Sequence, residues 1–78
     1  MFKLFNRKKS KLQLFDLNDN ILVAGDIVMA HRYDLGRCTL IEEDGHFYYE
    51  SHEDQKRMSW VKMIDAITEK QKVEKIEE

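Results

Sequence analysis

Residues 37–51 hold two runs of apolar and β-favouring residues, Arg37 to Glu43 and His46 to Ser51, separated by the polar dipeptide Asp44-Gly45. Such runs bounded by a turn signal read as two strands of a hairpin. A two-residue type I′ loop needs φ > 0 at both central positions, which Gly adopts freely and Asp tolerates. The segment therefore predicts a hairpin in which Glu43 faces His46, Glu42 faces Phe47, Ile41 faces Tyr48, Leu40 faces Tyr49 and Cys38 faces Ser51. Successive side chains of a strand point to opposite faces, so Cys38, Leu40, Phe47 and Tyr49 share one face. Thr39, Ile41, His46, Tyr48 and Glu50 share the other. The first set is the more apolar and is assigned to the core.

Upstream, residues 11–15 and 20–24 are short apolar runs joined by Asp16-Leu17-Asn18-Asp19-Asn20, whose Asn and Asp side chains favour turns by bonding nearby backbone. They read as a first, looser hairpin. Gly25-Asp26 opens a further β-compatible run over 27–33, and Tyr33-Asp34-Leu35-Gly36 makes the next turn, with Gly36 free to take φ > 0. The polar stretch 51–57 reads as an exposed connection. Beyond it, Trp60, Met63, Ile64 and Ile67 stand at offsets 0, 3, 4 and 7, a helical stripe, while Met58 to Val61 also suits a strand. The reading adopted is a strand at 57–61, a short helical turn near 62–66 and a last strand at 71–76. Its rival is one longer helix to about Glu74, which would make the fold β-hairpins packed on a C-terminal helix.

Seventy-eight residues suffice for one domain near the lower limit at which a hydrophobic core alone is enough. Residues 1–10 are expected to be a flexible basic arm, 11–76 the single β-rich domain and 77–78 a frayed end. The net charge of −2 conceals an asymmetry: residues 1–11 hold Lys3, Arg7, Lys8, Lys9 and Lys11 with no acid, whereas residues 12–78 carry a net −7. The longest apolar run, Ile21-Leu22-Val23-Ala24, is far short of a membrane span. The single cysteine, Cys38, excludes an intramolecular disulfide and a thiolate cage within one chain, and points to a reducing, cytoplasmic setting.

Gly25-Asp26-Ile27-Val28, then Gly36-Arg37-Cys38-Thr39-Leu40-Ile41, a tight hairpin, a further strand, a helical turn and a closing strand together resemble the small β-barrels of the Tudor and KOW type. The resemblance covers about residues 25–76. It implies a five-stranded antiparallel barrel with a binding role in protein or nucleic-acid assemblies.

Candidate chemistry is sparse. His46, Tyr48, Glu50 and His52 alternate onto one face, but same-face side chains of one strand run parallel and do not converge on a metal, which would need a further ligand such as His31. Cys38 lacks any triad signature and, beside Leu40, is expected to behave as a small buried hydrophobe. No metal, cofactor or catalytic residue is assigned, and the chain is not expected to be an enzyme. The expected role is a non-catalytic binding module for a protein partner or a second copy, met at Ile41, Tyr48 and Tyr33. The alternative is nucleic-acid binding by Lys3, Arg7, Lys8, Lys9, Lys11, Arg32 and Arg37, with exposed aromatics as stacking platforms. Trp60, the sole tryptophan, is expected in the core because a marginal domain needs its buried area. The arm, with Phe2, Leu4 and Phe5 among its basic residues, also has the composition of a weak membrane-surface contact.

Overall fold

The computed structural model describes residues 12–76; the expected arm and the expected frayed end lie outside the described residues. The chain forms β1 (Leu14–Phe15), β2 (Ile21–Leu22), β3 (Ile27–Ala30), β4 (Gly36–Glu43), β5 (His46–Ser51), β6 (Arg57–Ser59), a 3-10 turn at Trp60–Met63 and β7 (Val73–Lys75). β1 and β2 pair with each other, and the remaining five strands form an antiparallel sheet in the order β6-β5-β4-β3-β7.

The central hairpin has the register that the Asp-Gly turn predicts, from Cys38 opposite Ser51 to Glu43 opposite His46. Asp44 and Gly45 take φ of 53° and 78°, the paired left-handed conformations of a type I′ turn. The core follows from that register. Val28, Cys38 and Ser51 lie in one row across β3, β4 and β5, and Leu40, Tyr49 and Met58 in another across β4, β5 and β6. Leu14, Leu22, Ala30, Leu35, Met63 and Val73 complete the buried cluster, with Phe47, Met58 and Trp60 packed partly buried against it. Buried polar atoms are matched inside this core: the Tyr49 hydroxyl donates to Gln71 Oε1 at 2.8 Å, and the Ser51 hydroxyl to the Leu35 carbonyl at 3.0 Å. Burial pushes the Tyr49 hydroxyl well above its ordinary pKa. It does the same to the Cys38 thiol, where the charge of Asp54 adds to the effect and the value rises to about 11.

Among the described residues the pairing gives a five-stranded antiparallel sheet, with no ladder between β6 and β7. Three expectations are corrected. First, no C-terminal helix forms among the described residues. The Asp65 carboxylate accepts the Ile67 N–H at 3.1 Å and the Thr68 hydroxyl at 3.1 Å, while the Asp65 N–H donates to the Lys70 carbonyl. These local bonds give the backbone an alternative to a helical ladder, fold 65–70 into a tight loop and set Ile64 against Gln71 in an antiparallel bridge. Second, the helical turn lies at Trp60–Met63 instead of 62–66, because the Ser59 hydroxyl accepts the Val61 N–H and starts it there, ending the strand at Ser59. Third, the run 27–33 stops at Ala30, since Tyr33 and Asp34 both take positive φ in the turn that follows.

One buried charge ties the small hairpin to the sheet. Asp16 is fully buried, with Oδ1 accepting the N–H groups of Asn18 (2.9 Å) and Asn20 (2.8 Å). Its Oδ2 accepts the Asn20 side-chain amide at 3.1 Å and, 59 residues along the chain, the Lys75 N–H of edge strand β7 at 2.8 Å. Burial, the largest single influence, raises the carboxyl pKa. The bonds from Lys75, Asn20 and Asn18 together outweigh it and hold the group below its ordinary 3.8.

Asp16→Ala orphans these donors and is expected to destabilise the domain by about 3 kcal/mol, the scale of charge-assisted bonds lost from a buried site. A folded-state pKa below the unfolded value contributes stability in full above about pH 4 and loses it as pH falls through the folded value. Urea midpoints of the wild type and the variant should therefore converge as pH falls from 7 toward 2.5; a gap that stays constant with pH contradicts this account. A second expectation concerns Cys38: at pH 7.5 the native protein should react with a thiol reagent only as fast as it unfolds, and urea should restore ordinary reactivity. Rapid native labelling would show that the thiol is not enclosed.

Candidate functional site

The described surface carries an open groove of about 350 Å³ lined by Leu12, Gln13, Leu14, Phe15, Trp60, Ile64, Glu69 and Gln71. Two segments distant in sequence make it. The Phe15 carbonyl accepts the Gln71 N–H at 2.8 Å, and the Val73 carbonyl accepts the Leu17 N–H at 3.0 Å, which lays the β1 segment beside the chain entering β7. On the other side, the 3-10 turn places Trp60 at one end, and Ile64 follows at its C-cap. Leu14 and Gln71 are buried, whereas Leu12 and Phe15 are exposed and Trp60 and Ile64 half-buried. The lining is thus five apolar and three polar residues, and part of the apolar surface of Phe15, Trp60 and Ile64 is left open to solvent.

Arg32 holds the far wall in place. Its guanidinium donates to the carbonyls of Lys62 at 2.8 Å and Ile64 at 3.3 Å, the carbonyls at the end of the 3-10 turn. Opposite, β1 pairs Phe15 with Ile21 of β2, and Ile21 and Val23 are both exposed. Directly opposed residues of an antiparallel pair have Cβ atoms about 4.5–5.5 Å apart, so Phe15 connects the groove to Ile21. The apolar surface continues from the groove onto the outer side of the small hairpin.

The residues expected to meet a partner are spread out. Ile41 and Tyr48 form a half-buried cross-strand pair on the outer face of the sheet, with the His46 ring tilted against Tyr48 at a centroid distance of 4.8 Å. Tyr33 lies in the turn before β4, half exposed, with the Arg32 guanidinium 6.0 Å from its ring centroid. Five residue steps along β4, roughly 17 Å of strand, lead from Gly36, at the end of the turn that holds Tyr33, to Ile41.

Of the basic residues proposed for nucleic acid, Lys3, Arg7, Lys8, Lys9 and Lys11 lie outside the described residues, Arg32 is engaged with carbonyls, and Arg37 is exposed on β4. The histidines are held locally: His46 Nε2 lies 2.9 Å from the Ser59 hydroxyl, His52 Nε2 lies 2.7 Å from the Thr39 hydroxyl, and His31 lies 3.8 Å from Glu74. No group of three or more His, Cys, Asp or Glu is placed to hold a metal among the described residues. No helix among them is long and apolar enough to cross a membrane.

Sequence reasoning did not find the groove. Trp60 was expected inside the core, whereas it is half-buried, one side packed on the core and another lining the groove. The signal available for it was the Trp60/Ile64 stripe, but Phe15 and Gln71 reach the site only through non-local pairing. Against this geometry, no family model, curated protein or solved structure matches the chain.

Proposed function

We propose that this protein is a non-catalytic binding module whose partner is another protein, met at the groove between Phe15 and Trp60 in a cytoplasmic assembly. The observation that carries the reading is the groove itself: a concave, mostly apolar surface with a half-buried tryptophan, continuous with exposed Ile21 and Val23. Contiguous apolar surface on a small domain is the usual mark of an interaction site, and aromatic anchors set into a desolvated pocket dominate protein interfaces. A closed small barrel remains part of the proposal, with the 3-10 turn and the Ile64–Gln71 bridge spanning the gap between the two edge strands.

The observations favour a protein over a nucleic acid. Residues 12–78 carry a net −7, which opposes a phosphate backbone, and Arg32 is engaged in holding the groove wall.

The test uses the tagged full chain, chemical cross-linking in cells of the source organism and mass spectrometry. Phe15→Glu changes an exposed position and is expected to leave the melting temperature within a few degrees while lowering partner recovery about tenfold or more, a loss of about 1.4 kcal/mol. Ile41→Ser with Tyr48→Ala serves as the comparison surface and is expected to leave recovery unchanged. Recovery that depends on the Ile41–Tyr48 pair instead, or salt-dependent binding to RNA or DNA with no protein partner, would overturn the assignment.

A further inference from the structure

We propose that in the free protein this groove is filled by the chain's own N-terminal segment, with Phe2, Leu4 and Phe5 packed into it. The proposal rests on the groove and on the sequence outside the described residues, and it does not require that a separate partner exist.

Three observations converge. The first is position: Leu12, the first described residue, is itself part of the groove lining, so the eleven preceding residues start from the groove wall. Seven residue steps lead from Phe5 to Leu12, a span of at most roughly 24 Å, which is ample for the segment to turn back over the site it leaves. The second is composition. Four of the first five residues, Met1, Phe2, Leu4 and Phe5, are large and apolar, and the groove offers Phe15, Trp60 and Ile64 as apolar partners. The third is charge. Residues 1–11 carry +5 and residues 12–78 carry −7, so the basic residues are attracted to the body of the domain, and Glu69 offers one of them a carboxylate at the groove.

Tethering makes modest contacts sufficient. A short linker presents its attached segment at an effective concentration of order millimolar. Docking that would be too weak to detect between separate molecules is therefore substantially populated within one chain. If the groove also receives a protein partner, as the preceding reading has it, that partner competes with the segment, and the two affinities are linked.

The experiment places a nitroxide on the full-length chain through Asn6→Cys, next to Phe5. Cys38 is buried and remains unlabelled, so no second substitution is needed. In dilute 15N-labelled protein, the amide signals of Phe15, Trp60, Ile64 and Glu69 are expected to be strongly broadened, and those of the distant hairpin turn at Asp44 and Gly45 unaffected. Adding Phe2→Ser, Leu4→Ser and Phe5→Ser to the labelled chain is expected to abolish the broadening. In otherwise unlabelled protein, the same three substitutions should shift Trp60 emission to longer wavelength and raise its quenching by acrylamide severalfold.

Absence of broadening at the groove overturns the proposal, as does broadening that survives the three serine substitutions. Broadening that appears only when spin-labelled and 15N-labelled chains are mixed would assign the occupant to a second copy. Broadening and Trp60 protection seen only with vesicles containing phosphatidylglycerol would assign the segment to an anionic membrane surface. Each of these results leaves the cross-linking test of a separate protein partner standing, so the two readings fail independently.

Discussion

The Asp16 carboxylate is the contact on which the arrangement of this small domain depends. A hairpin of two-residue strands is marginal by itself, and β1–β2 persists because Asp16 organises its turn through Asn18 and Asn20 and fastens it to Lys75 of β7. A buried carboxylate is costly unless its lone pairs are occupied, and here four donors meet its two oxygens. The same contact covers part of the outer edge of β7, which would otherwise offer unpaired backbone groups to another strand. The groove is a consequence: with β1 held against the chain entering β7, Phe15 stands facing Trp60 across an apolar gap.

Local chemistry was legible and distant chemistry was not. Asp44-Gly45 announced a type I′ turn, and that turn set the register of six residue pairs and the inward face of β4 and β5, because hairpin geometry is decided by neighbours in sequence. The Asp16 to Asn20 turn was readable for the same reason. That Asp16 also meets Lys75 was not, since no local pattern encodes a bond spanning 59 residues. Residues 60–67 misled in an instructive way. Offsets of 0 and 3 fit a 3-10 turn as well as an α-helix, so Trp60 and Met63 share a face in either. The outcome was decided at Asp65, whose side chain binds Ile67 and Thr68 and leaves Ile67 at 91% exposure, off any buried stripe.

The two candidate surfaces differ in what their side chains already do. On the outer face of the sheet, Arg57 meets Glu43 at 3.0 Å and Glu50 at 3.6 Å, and His46 and His52 each face a hydroxyl. Exposed ion pairs of this kind contribute little to stability, but they occupy the polar groups that a partner would have to engage. Ile41 and Tyr48 lie within that network as a cross-strand pair, a role sufficient to explain their presence. The groove differs: Phe15 is exposed and Trp60 and Ile64 are half-buried along its lining, apolar surface for which water is the poorest neighbour.

Trp60 joins these arguments. A marginal core has reason to enclose its only tryptophan entirely, and burying the ring whole would remove more apolar area from water. Instead, Ser59 starts the 3-10 turn one residue before it, and Arg32 holds the carbonyls at the other end of that turn. The ring is thereby braced half in the core and half in the groove. A residue fixed from both sides in a position short of full burial presents a rigid apolar surface without ordering loose side chains on contact. Lower ordering cost is how a small surface reaches useful affinity. That argument applies equally to both proposed occupants, the segment holding Phe2, Leu4 and Phe5 and a separate protein, since either would meet the same braced Trp60 ring.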